Sequence, residues 1–356
     1  MGGLKGILIA GGAAQDELSV MAGGGVRHLF PVANRALLDY GLETVRACGA
    51  REVAAVVSAE TADPLRDALA ARADGELPIE LIELDKAPSL PQALAAAADF
   101  VGDSRCIAHL ADCLVAGPLD HLHAEIQDGE VDALVLARGD AGELDGRGAH
   151  AARPLRLVTD RPVPPADQAL SGVFAFGPAA LEHAHRLAAS ERAGGVHDLL
   201  AALASDGSRI DVRPVTGAWK YSGTVDGLLD ANRLVLDELH PSRGDADLSS
   251  ARIEGRVSVH PTAVLDRTTV RGPAVIGPGA VLVDTFVGPY TALGTDVRLE
   301  GTEIEHSIVL SRATIRHLGR RLEDSLVGQD ATLVRDFAMP ASLRLRVGRG
   351  AAISLA

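Results

Sequence analysis

Aliphatic residues in the last third of the chain keep a 17-residue register, and few folds can accommodate one. Three columns share it: Ile253, Val270, Val287 and Ile304; Val259, Ile276, Leu293 and Leu310; Leu265, Leu282 and Leu299. Within one period the spacing runs six, six and five residues. Ala263 and Ala280, Pro261 and Pro278, and Gly277 and Gly294 repeat in the same frame. Three short strands per turn, each sending one aliphatic inward, describe a triangular parallel β-helix. Each coil buries its aliphatics only by stacking on the next, so residues 251–356 are expected to form a rigid module. An ordinary β-sandwich would not hold one register in three columns.

Residues 1–240 follow another pattern. Strands are expected at Gly6–Ala10, Val53–Ser58, Ile79–Leu84, Cys106–Ala111, Ala133–Ala137, Leu155–Val158, Gly172–Phe176 and Ile210–Pro214. Helical stretches such as Ala36–Cys48, Ala62–Ala73, Leu90–Phe100 and Pro178–Leu187 lie between several of them. This alternation implies an α/β domain whose mostly parallel sheet is covered on both faces. Ligands of such sheets bind at the carboxyl ends of the strands, where Gly11-Gly12 and Asp112 both fall. Pro241–Ser250 is polar and rich in breakers, a linker between the two domains.

The segment Leu4–Tyr40 carries the clearest chemical signal. A buried strand runs into Gly11-Gly12, as in proteins that bring backbone N–H groups to a phosphate. The loop then continues Ala13-Ala14-Gln15-Asp16-Glu17, placing two carboxylates where a triphosphate would favour cations. Gly23-Gly24-Gly25 is either a replacement N–H cradle or a flexible surface loop.

A formal net charge of −14 argues against a general nucleic-acid binder, and no apolar run is long enough to span a bilayer. The first residues enter a strand with no basic, apolar leader, so a cytoplasmic protein is expected. Cys48, Cys106 and Cys113 form no disulfide framework. The last two would sit roughly 23 Å apart along an extended strand, too far to bridge. His121/His123 and His183/His185 are spaced to lie on different sides of a helix, and no zinc site is expected. Only Lys5, Lys86 and Lys220 are lysines among 34 cationic residues, so an arginine at a lysine position can reflect composition alone.

KGILIAGG, LFPVANRALLDY, PQALAAAADFVGD, HLADCLVAG, LVTDRPVPP, LSGVFAF, GAWKYSG and LLDANRLVLDEL follow one another in order. The repeat segments ARIEGRV, VRGPAVIGPGA, VGPYTALG, EIEHSIVL and RRLEDSLVG come after them. With these motifs the chain resembles the sugar-1-phosphate nucleotidyltransferases, in particular the long glucose-1-phosphate thymidylyltransferases with a C-terminal left-handed β-helix. The resemblance covers nearly the whole length. It implies a Rossmann-like nucleotidyltransferase domain with a mixed, mostly parallel sheet, followed by a left-handed parallel β-helix. It also implies a reaction that joins a nucleoside triphosphate and a sugar 1-phosphate with loss of pyrophosphate, assisted by Mg²⁺.

Carried over residue by residue, the resemblance makes Gly11, Gly12 and Gln92 nucleotide-binding, with Gln92 reading the base. Asp160, Arg161 and Gly172 become sugar-phosphate-binding. Arg27, Asp112 and Lys220 become catalytic, and Asp112 also the metal ligand. Several readings stay open beside these: a solvated surface arginine for Arg27, a turn-capping carboxylate for Asp112, strand packing for Gly172, and a structural cation for Lys220.

The chain departs from the family pattern at two places. The loop motif G-G-x-G-T-R-L lacks its later Gly, its Thr and its Arg, and the second metal carboxylate of W-x-D-T-G is Tyr221. A neutral phenol is a poor ligand for a hard cation. Two functions therefore stand side by side: a nucleotidyltransferase with a modified site, and a catalytically inactive relative that binds ligand or serves as a structural or regulatory subunit. A third, acyl transfer at His306 on the β-helix, has less support, because the family shares that His without the activity. The β-helix is expected to mediate homo-oligomer contacts.

Overall fold

Strand β1 (Lys5–Ala10) is buried from Gly6 onward, as a central strand covered on both faces must be. Next come a short helix α1 (Glu17–Met21), a hairpin of β2 (Pro31–Val32) and β3 (Arg35–Ala36), and helix α2 (Leu37–Ala47). Alternation then sets in, with β4 (Val53–Ser58), α3 (Ala62–Ala70), β5 (Ile79–Leu84), α4 (Leu90–Ala96), α5 (Ala98–Val101) and β6 (Cys106–Leu110). It continues through β7 (Cys113–Ala116), α6 (Asp120–Gln127), β8 (Ala133–Arg138), β9 (Leu155–Arg156) and β10 (Leu170–Phe176). Helices α7 (Pro178–Ala188) and α8 (Val196–Ser205), strands β11 (Ile210–Val215) and β12 (Gly217–Lys220), and helix α9 (Val225–Asp237) complete this part. The computed structural model describes residues 3–11, 16–23, 25–72, 77–117, 119–127, 131–138, 155–156, 170–190, 194–215 and 217–335.

Eight strands form one sheet in the order β5-β4-β1-β6-β10-β8-β11-β9. Strands β5, β4, β1 and β6 run parallel, while β10 is antiparallel to both β6 and β8, which makes the sheet mixed. Ile7, Ile9, Val56, Phe174 and Phe176 pack on one face against Leu94 of α4, Leu181 of α7 and Leu199 and Leu203 of α8. The helix expected over 90–100 is broken at Ala97 into α4 and α5. Of the strand expected at Leu155–Val158, Leu155 and Arg156 pair with β11, and the remaining two positions lie outside the described residues.

Packing divides the chain into two compact units, residues 1–14 with 36–221, and residues 15–35 with 222–356. The polar stretch 241–250 falls inside the second unit. There the 17-residue register becomes three sheets of parallel strands, of four, five and five strands. Val270, Val287 and Ile304, then Ile276 and Leu293, then Leu265, Leu282 and Leu299 all point into one core. Truncating one of these leucines to alanine costs roughly 2–5 kcal/mol in a core of this kind.

One position of the repeat is corrected. Val309, not Leu310, continues the column of Ile276 and Leu293, because the pairing Leu293↔Val309 is one residue short of the period. The next coil restores the length, with Val309↔Val327 and Ile315↔Leu333.

The second sheet, comprising Val257–Val259, Ala274–Ile276, Thr291–Leu293, Ile308–Val309 and Leu326–Val327, is buried on both faces in its middle. Three hydrogen bonds reach this sheet from elements of the same unit. The Asn34 side-chain amide donates to Leu293 O at 2.6 Å, Asn232 Nδ2 of α9 donates to Tyr290 O at 2.8 Å, and Gln329 N donates to Met21 O at 2.8 Å. Residues 16–35 thus form a strap on the three-sheet stack. Among the described residues no helix is long and apolar enough to cross a membrane, and all three cysteines are free and buried.

Candidate active site

Gly11 and Asp112 leave the same edge of the first unit's sheet. Ile9 and Leu110 are register partners in the parallel pair β1/β6, and each candidate lies two residues beyond its partner. Ala111 N donates to Ile9 O at 2.9 Å and carries the ladder one step past the strands. Ligands of sheets of this kind sit at the carboxyl ends of the strands, which is this edge.

Gly11 is held tightly. A Cβ there would fall 2.3 Å from Pro88 Cδ, so only glycine fits against the turn that opens α4. That packing brings Gln92, the third residue of α4, to the same edge. Its Oε1 already accepts a hydrogen bond from Ser89 N at 2.9 Å, capping the helix. Its amide NH₂ and the second lone pair of Oε1 remain to be offered to a base.

Asp112 stands between β6 and β7. Its carbonyl accepts from Tyr221 N at 2.9 Å, and the Cys113 thiol lies 3.7 Å from its Oδ1. Strands β7 and β12 pair antiparallel, with Cys113 opposite Lys220 and Leu114 opposite Trp219. Lys220 is exposed, and Tyr221 packs its ring edge-to-face on Trp219 at 6.1 Å. Position 221, where the family pattern has its second carboxylate, is therefore fixed beside Asp112 but carries a phenol.

Gly172 adopts φ +84° where the register of β10 shifts between Leu170 and Phe174. A Cβ there would meet Cys113 Sγ at 2.5 Å and Leu110 Cβ at 3.4 Å. Both the backbone angle and the close approach require glycine. Gly172 thus packs directly beneath the Asp112 turn, and strand packing accounts for it without a ligand.

Gly11 and Asp112 share the sheet edge, Gly172 and Lys220 flank Cys113 next to Asp112, and Gln92 lies in α4, whose opening turn packs on Gly11. Arg27 belongs to the second unit, half-buried in the turn Arg27–Leu29 of the strap. Gly12, Asp160 and Arg161 lie outside the described residues. Among the described residues no three His, Cys, Asp or Glu side chains cluster to hold a metal.

Two supporting residues escape a reading by motif. The Thr61 hydroxyl, fully buried, donates to Ala10 O at 3.3 Å or to Ser58 O at 3.2 Å and steadies the last residue of β1. A Ser58-x-x-Thr61 pair just past a buried strand was the available signal. Cys113 matters because its thiol lies against both Gly172 and Asp112, and nothing in its spacing announced that.

Comparison with known proteins places these features in a family. No protein-family model matches the chain. Curated relatives match along its whole length. It is 32% identical over 356 residues to a glucose-1-phosphate thymidylyltransferase of Streptomyces griseus, covering 97% of this chain and 98% of the relative. A glucose-1-phosphate thymidylyltransferase of Streptomyces antibioticus is 30% identical over 97% of this chain and 98% of its own. The low-salt glycan biosynthesis nucleotidyltransferase Agl11 of Haloferax volcanii is 30% identical over 99% of this chain and all (100%) of its own length.

Among solved structures, a putative glucose-1-phosphate thymidylyltransferase from Bacillus anthracis in complex with a sucrose superposes with TM-score 0.53 at 18% identity, over 67% of this chain and 98% of that one. A UDP-glucose pyrophosphorylase complexed with UDP-glucose gives 0.51 at 16% identity, over 66% and 99%. Full-length identity at this level, with the mixed sheet and the Gly11/Asp112 edge in register, leads to one conclusion: the chain belongs to the glucose-1-phosphate thymidylyltransferase family of sugar-1-phosphate nucleotidyltransferases.

Proposed function

We propose that the protein joins a nucleoside triphosphate to a sugar or sugar-like 1-phosphate, releasing pyrophosphate, at the sheet edge that holds Gly11 and Asp112. The observation that carries this reading is the shared edge itself, with the Tyr221 backbone hydrogen-bonded to the Asp112 carbonyl at 2.9 Å. The sugar phosphate oxygen attacks the α-phosphorus in line, and the oxygen bridging to the β-phosphorus leaves with pyrophosphate. Work of this type consists of positioning and charge neutralisation. Gly11 and Gly12 offer backbone N–H groups to the phosphates. Gln92 offers its amide NH₂ to a base carbonyl, while its Oε1 caps α4. Lys220 supplies positive charge at this edge, and Asp160, Arg161 and Gly172 form the sugar-phosphate end.

Asp112 is a single carboxylate, so it does not cage Mg²⁺ by itself. It suits an ion shared with substrate phosphate oxygens, which is how Mg²⁺ is commonly held. Bound there, the ion would neutralise phosphate charge.

A second reading, ligand binding without turnover, is favoured by one observation: position 221 is pinned beside Asp112 and bears no carboxylate. One assay separates the two. Pyrophosphate release is followed with Mg²⁺, glucose 1-phosphate and each nucleoside triphosphate, for the native protein, Asp112→Ala and Tyr221→Asp. Turnover is expected in the native protein, a loss of about 100-fold in Asp112→Ala, and a gain at limiting Mg²⁺ in Tyr221→Asp. Folded native protein that binds triphosphate in a calorimeter, yet releases no pyrophosphate across a panel of sugar 1-phosphates, would establish the second reading instead.

The three-sheet stack is read as a left-handed parallel β-helix, supported by the 17-residue register and the all-parallel pairing. Its two sheets outside the strap are the faces proposed for homo-oligomer contacts. Three buried free thiols fit a reducing compartment, the cytoplasm.

A further inference from the structure

A hollow of about 290 Å³ lies wholly within the second unit. Leu229, Asp230 and Arg233 of α9 line one side, and Tyr290, His306 and Asp324 line the other. The last three occupy the same corner of successive coils, one or two residues before the strands Thr291–Leu293, Ile308–Val309 and Leu326–Val327. Each has a left-handed backbone, with φ of 56°, 45° and 46°. Glycine, asparagine or aspartate is the usual choice for such a corner, because a bulky side chain there is strained. Two of the three residues here carry aromatic rings. The coil also shortens at this corner: six residues separate Val287 from Leu293, and five separate Ile304 from Val309.

The polar groups are arranged around one ring. The Tyr290 hydroxyl donates to Asp237 Oδ1 at 2.9 Å, and that carboxylate holds the phenol above its ordinary pKa, so the ring face is what Tyr290 presents. The Arg233 guanidinium lies 5.6 Å from the ring centroid, and the His306 ring lies 5.2 Å from it, tilted by 41°. His306 Nδ1 is 3.8 Å from Asp324 Oδ1. Asp230 forms no ion pair among the described residues.

We propose that this hollow binds a single neutral sugar ring. Its volume is at the lower end of small-molecule sites, about 300 Å³ and upward, which suits one ring and excludes a sugar nucleotide. Charge narrows the class further. A phosphate would face Asp230 and Asp324, and an ammonium would face Arg233. Sugar hydroxyls both donate and accept, so each finds a mate among two carboxylates, a guanidinium and an imidazole. The apolar C–H face of the sugar packs on Tyr290 and Leu229. The site is separate from the nucleotidyl-transfer reading, which concerns the sheet edge of the first unit.

Ligand-observed saturation-transfer NMR on the full chain tests it, with methyl α-D-glucoside, methyl α-D-galactoside and methyl α-L-rhamnoside at millimolar concentration. At least one glycoside should show transfer that persists in excess glucose 1-phosphate, because the phosphate disfavours this hollow while filling the sheet-edge site. Arg233→Ala and Asp230→Asn, both exposed on α9 and checked for an unchanged melting temperature, should each weaken binding by about 10-fold or more. Absence of transfer from all three glycosides overturns the proposal. So does transfer retained in both variants, or transfer abolished by glucose 1-phosphate, which would place the sugar at the sheet edge.

Discussion

His109 lies in β6 three residues before Asp112, fully buried between register partners Leu8 of β1 and Val173 of β10. Neither ring nitrogen has a partner at hydrogen-bond geometry. Burial lowers its pKa from 6.5 to about 4, with the Leu110 backbone and the Asp112 charge opposing it only in part. The folded state therefore holds the ring neutral while the unfolded chain protonates it below pH 6.5. Its contribution to stability is complete above that pH and declines until about pH 4, a loss of roughly 3 kcal/mol over the interval. Urea unfolding of the native protein and His109→Leu at a series of pH values checks this. The variant should match or exceed native stability at pH 7, since two orphaned nitrogens are removed, and should lose less on acidification. Equal acid slopes would show that His109 is not the group responsible. The same neighbourhood shows what single residues could disclose. Asp112 was legible from its place at a strand end. Gln92 was legible as a helix cap too, since Ser89-x-x-Gln92 has the capping-box spacing, although the motif reading used it only as a base contact. Gly172 left two readings open, and Cys113 Sγ, 2.5 Å from the site of its missing Cβ, supplies the packing reason for glycine without bearing on the sugar-binding one.

Elements were legible wherever a period could be counted. The coils repeat, and the strands β1, β4 and β6 are nearly continuous apolar runs, broken within β6 only by His109. The hairpin β2/β3 is different, since nothing local says where it docks. Its turn residues Ala33 and Asn34 have φ of 46° and 65°, and its fastening lies about 200 residues away in sequence (|i−j| = 199). Asn232, fully buried in α9, accepts from Ala33 N at 3.0 Å and donates to Tyr290 O at 2.8 Å. One amide thus joins three elements of the second unit, and an apolar replacement would strand a donor and an acceptor. Asn232→Ala should cost roughly 2–4 kcal/mol locally. Hydrogen exchange at the Ala33 amide should accelerate by about 30-fold or more, with amides in β4 unaffected. Unchanged exchange at Ala33 would mean that the strap is held by its apolar contacts, with Phe30 and Val32 fully buried.

At the scale of the whole chain, the two units are nested rather than sequential. The polypeptide leaves the first unit after Ala14, builds the strap, re-enters at Ala36, and joins the second unit again at Ser222. A boundary drawn at 240 from composition cuts the second unit, because the shift in periodicity marks where the coils begin and says nothing of residues 15–35. Removing residues 241–356 therefore takes away Leu293, Tyr290 and Gln329, the groups to which Asn34, Asn232 and Met21 are bonded. The converse fragment, residues 222–356, would bare the outward Ala292 and Ile308, which are buried in the full chain. An exposed apolar sheet face of that kind associates. Limited proteolysis should thus cut a 1–240 fragment within 16–35 and spare that segment in the full chain. The 222–356 fragment should aggregate unless residues 15–35 are supplied as a peptide. Should a 1–240 fragment resist cleavage in the strap, the coils would have no part in ordering that segment.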